Sequence, residues 1–314
     1  MPGAEVRADV WISEYITPWD IYQHGVNRIL ASKRTNFQEM QIVETGAYGK
    51  ALVLDGKWQS CTGDEFLYHE PLVHPAMIAH GNPKRVLILG GGEGATAREV
   101  LRWKCVERAV MVDIDGEVVA ACREHLPEMH QNVYDDARLE VVIGDALDVL
   151  DTTPDRWDVV ISDLADPIEE GPSFRLFTKE YFEQVRRVLA PRGVFVVQAG
   201  PLSPPEMALH VRLASTVRAV FSGVHSYWSY VPSYAAPWGF LLAGIEPVDV
   251  HRDPRQIDQV LGERTTGGFR MLDGIAMVGM FHLPAHIRRA LAAETRVYTL
   301  AEPPKFFGKG QMGS

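Results

Sequence analysis

Cysteine is scarce in this chain. Three in 314 residues (Cys61, Cys105 and Cys122), with no CxxC pair, exclude a disulfide framework and a cysteine-rich zinc site. Such usage predicts a reducing, cytoplasmic setting. Long apolar runs are missing too. None reaches the ~18 residues of a membrane span, and the opening MPGAEVRADVWISEYITPWD mixes charges with aromatics, which reads as mature sequence and not as a leader. Basic charge is in deficit, with 31 Lys and Arg against 41 Asp and Glu and a net charge of −10. That balance counts against a nucleic-acid partner. An acidic surface suits a cationic ligand, although acidity also serves solubility alone. No fixed-period repeat or low-complexity tract occurs, so a solenoid is excluded. What remains, 46% hydrophobic and 23% charged, has ample length for a large core in one domain or in a main domain with appendages.

The apolar pattern divides the chain. Residues 40–61 read as three short strands, with Asp55-Gly56 as a hairpin turn. Asp64 is the expected cap of a helix running to Asn82-Pro83. From Arg85 the pattern becomes α/β. VLILG, RAVMVD, LEVVIG, WDVVISD and GVFVVQAG are continuous apolar runs separated by helical stretches, as in a doubly wound parallel sheet. VHSYWSYVP and WGFLLAG read as an antiparallel hairpin closing its edge. Beyond Val250 only 256–262 and 284–292 read as helices, and the final GKGQMGS reads as a free end.

The chemistry gathers at strand ends. In VLILGGGEGATAREV, glycines 90, 92 and 94 stand where a buried strand turns into a helix and allow a ligand close to the backbone. The same residues with Ala95 also spell GxGxxA, so a dinucleotide remains an alternative. Asp113 ends the next strand, where a carboxylate can accept both ribose hydroxyls. Asp145-Ala146 follows the third, where an acid can meet an adenine amino group. SDLADP, with Asp163 and Asp166, ends the fourth. Glu93 joins them at the carboxyl edge of the sheet, where open α/β folds bind ligands. So many acids serve a pyrophosphate badly and a cationic nucleoside well, which favours a sulfonium such as S-adenosylmethionine or its decarboxylated form. Taken singly, each has an ordinary structural alternative: Asp113 or Asp145 as a helix cap, Glu93 as a residue favoured near a helix N-terminus.

The ordered segments FQEMQIVETGAYGKALVLDGKWQ, DEFLYHEPLVHP, GGGEGATARE, MVDIDGEVV, SDLADP, VVQAG and VPSYAAPWGF resemble the polyamine aminopropyltransferases of the spermidine synthase family across nearly the whole chain. The resemblance implies a small N-terminal β domain (1–63), a Rossmann-like, methyltransferase-type doubly wound catalytic domain (64–250), a C-terminal extension (251–314), and a homodimer or homotetramer. It implies decarboxylated S-adenosylmethionine as co-substrate, with no prosthetic group, and a polyamine as acceptor. Asp163 matches the family's catalytic acid, and Tyr68 and Tyr234 match tyrosines that hold and deprotonate the attacking nitrogen. Asp166 matches the acid for the acceptor's distal ammonium. Gln38, His69, Glu93, Asp113, Asp145 and Gln198 match positions that contact the donor or line the junction with the acceptor.

Within the family, DLADP with its longer acidic linker, GGGEGATARE, PSYAAPWG and ETRVYT resemble thermospermine synthases more than the usual spermidine synthase pattern. That likeness implies spermidine as acceptor. Leu164 and Ala165 would reshape its groove, and Glu169 or Glu170 either meets a further ammonium or lies on a solvated loop. A small-molecule methyltransferase and a non-catalytic polyamine sensor are the competing classes.

Other signals lead nowhere. His69-Glu70-Pro71-Leu72-Val73-His74 is one residue too long for a zincin motif, so no metal is expected. No GxSxG is present. His125 and His130 read as exposed, and Tyr227, Trp228 and Tyr230 as packing residues of a sheet.

Overall fold

The computed structural model describes residue 8 and residues 10–167, 173–305 and 310–313. Five N-terminal strands form an antiparallel meander: β1 (Val10–Thr17), β2 (Asp20–Arg34), β3 (Glu39–Thr45), β4 (Gly49–Leu54) and β5 (Lys57–Cys61). Asp55 and Gly56 both take positive φ, 49° and 75°, which is the two-residue turn whose twist suits a hairpin. The three strands expected over 40–61 are therefore present. β1 and β2 were not legible beforehand, because charged and apolar residues are interspersed along them and neither is deeply buried.

The second sheet holds β6 (Arg85–Gly90), β7 (Arg108–Asp113), β8 (Leu139–Ile143), β9 (Trp157–Asp163), β10 (Leu189–Pro201), β11 (Gly223–Val231) and β12 (Ala236–Gly244), in the order β11-β12-β10-β9-β6-β7-β8. The first five in sequence run parallel, and the β11–β12 hairpin adds antiparallel strands at one edge, as expected. This is the Rossmann-like, methyltransferase-type topology, with its switch point between β6 and β9. Alternate residues of β6 enter different cores, Val86 and Ile88 on one face and Leu87 and Leu89 on the other. That two-sided burial is why the run is continuously apolar.

Helix α1 (Phe66–His80) crosses one face despite Pro71 and Pro75 inside it. Pro75 has no N–H for the Pro71 carbonyl, and the buried Tyr227 hydroxyl supplies the missing bond at 2.9 Å. Asp64 does not cap this helix. Its carboxylate instead accepts from the backbone N (2.7 Å) and hydroxyl (3.0 Å) of Ser233, tying the N-terminal meander to the turn that carries Tyr234.

Helices α2 (Ala95–Leu101), α3 (Gly116–His125), α4 (Pro127–His130) and α5 (Ala146–Thr152) follow successive strands, and α6 (Lys179–Val188) and α7 (Ala208–Arg218) flank β10. The C-terminal α8 (Pro254–Arg264) and α10 (Ala285–Ala293) cover the two expected stretches. Between them α9 (Gly274–Met280), which the sequence left unassigned, also packs against the sheet. The end of the chain is not free as expected, since β13 (Gly310–Gly313) pairs antiparallel with β1. His130 is buried rather than exposed, its ring bonded to the Arg123 carbonyl and the Asn132 amide. Tyr230 is 53% exposed, so it is not a packing residue.

Candidate active site

Register brings the acids together. Gly90 lies beside Asp163 across β6 and β9, Leu89 lies beside Val112 across β6 and β7, and Asp113 lies beside Ile143 across β7 and β8. Four strands therefore end at one level, and the side chains just beyond them face the same cavity, whose volume is ≈ 200 Å³. Two glycines make the approach possible. A Cβ on Gly90 (φ 87°) would stand 2.1 Å from the Asp163 carbonyl oxygen, and one on Gly92 would stand 2.6 Å from Asp113 Oδ2. Any side chain at either position would push an acid away.

Asp163 is held from two sides. Tyr68 donates to Oδ1 at 2.8 Å and Thr96 to Oδ2 at 2.6 Å. Desolvation and the nearby Glu93 charge nevertheless push its carboxyl up to about 6, against the opposing pull of His69 and the two hydroxyls. Asp113 is likewise raised to about 6 by desolvation and Glu93, although the Asp115 amide donates to it at 2.9 Å. Burial and the charge of Asp163 keep the Tyr68 phenol well above its ordinary range, so it acts as a donor and not as a base. Tyr234 faces Tyr68 at 5.9 Å between ring centroids and donates to the Gln59 carbonyl.

Behind Glu93 lies a buried ionic chain. His69 Nε2 is 2.8 Å from Glu93 Oε1 and its Nδ1 is 2.9 Å from Glu65 Oε2. Both partners only accept, so both ring nitrogens carry hydrogen and the ring is an imidazolium. Burial opposes that charge, but the two carboxylates outweigh it and raise the pKa to about 10. Although His69, Glu93 and Asp163 cluster closely enough to hold a metal ion, an imidazolium has no lone pair to offer one. Arg98 continues the chain from Glu65 (2.8 Å) to Glu99 (2.8 Å), and His74 turns to Glu99, away from His69.

Of the residues singled out from sequence, Gln38, Gly90, Gly92, Glu93, Asp113, Asp145, Ala146, Asp163, Asp166, Gln198, Tyr68 and Tyr234 all line this cavity. Gln38 also donates to Asp115 (3.1 Å), and Asp145 caps α5 through the Leu147 amide (2.8 Å), so its structural alternative holds alongside its place in the wall. Gln198 Nε2 reaches the Leu164 carbonyl (2.8 Å) and Asp166 (3.3 Å), while its Oε1 accepts from Trp238. Two residues do not line the cavity. Gly94 sits one step behind it at the start of α2, where a Cβ would strike His130, and His69 is screened by Glu93. Glu169 and Glu170 lie outside the described residues. Sequence reasoning missed Glu14, Lys57, Trp58 and Glu206, which complete the wall from the N-terminal meander and from the segment after β10. The only signal for the first three was their place inside otherwise ordinary strands.

Comparison with known proteins gives the same reading. Residues 65–251 match the spermine/spermidine synthase domain, and residues 10–61 match the spermidine synthase tetramerisation domain. The chain is 57% identical over 306 residues to a polyamine aminopropyltransferase of Synechococcus sp. (strain JA-2-3B'a(2-13)), covering 95% of this chain and 98% of that one. It is 45% identical over 305 residues to one of Aeropyrum pernix, covering 92% and 93%. Among solved structures it superposes on a spermidine synthase in complex with the transition-state analogue AdoDATO, with TM-score 0.85, 28% identity and coverage of 94% and 99%. The spermidine synthase of Thermotoga maritima gives TM-score 0.82, 27% identity and coverage of 94% and 97%. The likeness thus spans both sheets and the cavity between them, and the chain belongs to the spermine/spermidine synthase family of polyamine aminopropyltransferases.

Proposed function

We propose that this enzyme moves the aminopropyl group of decarboxylated S-adenosylmethionine to spermidine, giving thermospermine and 5′-methylthioadenosine. The observation that carries the transfer is the joint placement of Asp113, Glu93, Asp163 and Asp166 along one cavity. Asp113 would take the ribose hydroxyls, with Asp145 and Ala146 beside the base. Glu93 would attract the donor's aminopropyl ammonium and repel the extra carboxylate of intact S-adenosylmethionine. Asp166, steadied by Gln198, would hold an acceptor ammonium.

In the reaction the acceptor's nitrogen must first lose a proton, since an alkylammonium has a pKa near ~10. Asp163 is placed to accept it, with Tyr68 and Thr96 fixing the carboxylate. The freed lone pair attacks the methylene beside the sulfonium. The new C–N bond forms as the C–S bond breaks, and its electron pair leaves with sulfur as the neutral thioether. The gain comes largely from alignment of the two reactants. Tyr234 would border the nitrogen opposite Tyr68.

Support for spermidine as acceptor comes from the SDLADP segment, whose Leu164 and Ala165 line the cavity between the two acids. A putrescine-specific enzyme is the second reading, favoured by the two spermidine synthases among the structural neighbours. We take the enzyme to be a homodimer or homotetramer, a reading supported by the match of residues 10–61 to a tetramerisation domain. No helix among the described residues is long and apolar enough to cross a membrane.

Mass analysis of products from decarboxylated donor with putrescine, norspermidine and spermidine tests this. A tetraamine extended at the aminopropyl end of spermidine is expected, with methylthioadenosine. A clear preference for putrescine would overturn the acceptor. Formation of S-adenosylhomocysteine from intact S-adenosylmethionine would overturn the transfer itself.

A further inference from the structure

The end of the cavity beyond Asp166 is built around a buried cation. Glu14 on β1, Asp166 after β9 and Glu206 before α7 line it, and so does Lys57 at the start of β5. Lys57 is 5% exposed, and its Nζ stands 3.2 Å from Glu14 Oε1. A lysine is an unexpected residue in the wall of a groove meant for protonated amines, because it repels them.

We infer that the Lys57 ammonium takes the place of one acceptor nitrogen at this end of the cavity, and so sets how many ammonium groups an acceptor brings there. This rests on the aminopropyl-transfer reading above. With all three carboxyls ionised, the state that a bound ammonium favours, three carboxylates less the Lys57 ammonium leave a formal charge of −2 at this end. Arg175, which also lines the cavity, is exposed and screened by solvent. A triamine that has released the proton of its attacking nitrogen retains two ammonium groups and matches that charge. A diamine brings one and a tetraamine three.

The far carboxylates also act on one another: the charge of Asp166 is felt at Glu14 and at Glu206, so the three form one cluster against Lys57. Burial raises all three far carboxyls, Glu206 to about 7, and the charge of Lys57 pulls each back down. Groups in that condition gain most from an added cation. Lys57 thus discriminates against acceptors carrying one charge too many.

The test is Lys57→Met, assayed beside wild type with putrescine, spermidine and spermine. The kcat/KM ratio of spermine to spermidine is expected to rise about tenfold, the scale of one close charge pair, and Lys57→Arg is expected to retain the wild-type ratio. Ratios taken on one preparation are independent of the fraction folded. Lys57→Gln, which keeps a polar contact to Glu14, gives the same direction should the methionine variant fail to fold. Proportional change for all three amines would overturn the inference while leaving aminopropyl transfer intact. Absence of methylthioadenosine from wild type with every amine would overturn the transfer reading and the inference with it.

Discussion

Tyr68 and Asp163, 95 positions apart in the chain, meet through a hydrogen bond of 2.8 Å. One lies in the first turns of the helix that follows the N-terminal meander, the other at the tip of the fourth strand of the parallel sheet. The phenol donates to one carboxylate oxygen while Thr96 donates to the other, which leaves each oxygen further acceptor capacity towards the cavity. An acid so held can take a proton without turning.

The charge of Asp163 is therefore the quantity to remove. Asp163→Asn keeps the shape and loses the proton acceptor, and turnover is expected to fall about 10²-fold or more. Near-native turnover in steady-state assays would take Asp163 out of the mechanism.

The pH profile follows from the same group. With its carboxyl at about 6, Asp163 is a competent base only above that value, so kcat/KM is expected to rise with pH through about 6. The Tyr68 hydrogen bond lowers this pKa. Tyr68→Phe is therefore expected to move the rising limb to higher pH as well as to slow turnover. A slower Tyr68→Phe enzyme with an unmoved limb would assign Tyr68 to packing alone.

Stability should move in the opposite sense to activity. A carboxyl raised from an ordinary ~4 to about 6 favours the folded state only while it is protonated, and that contribution is lost as pH rises through about 6. At pH 7.5 the ionised Asp163 is thus a cost to folding. Asp163→Asn is expected to raise Tm at pH 7.5, with the gain shrinking towards pH 5. Thermal melts at both values check the sign.

Arg98 is buried between Glu65 and Glu99. Arg98→Met removes the cation these carboxylates share, at an expected cost of ~1–3 kcal/mol, less than that of a stranded buried charge because His69 still pairs with Glu65, and His74 and Arg102 with Glu99. Denaturant unfolding measures this. A loss of donor affinity should accompany it, because Glu65 holds His69 and His69 holds Glu93.

The parallel sheet was legible because burial on both faces forces unbroken apolar runs, and the acids at its edge because a strand end fixes where the next residues point. β1 and β2 were not, since Glu14 and Ile16 interrupt any clean alternation and the partners of Glu14 lie far along the chain. Asp64 misled for a related reason. Its position before a helix reads as a cap, but a contact 169 residues away claims its carboxylate. Glu206 carries no local mark, and Lys57 only its place in a strand. Only the folding of β5 and the segment after β10 around Asp166 gives them a shared surface.

A structure with methylthioadenosine and spermidine bound tests the central claim most directly. The account predicts the ribose hydroxyls on Asp113, the attacking nitrogen within hydrogen-bonding reach of Asp163, and the next ammonium on Asp166. Either molecule seated away from these three carboxylates would contradict it.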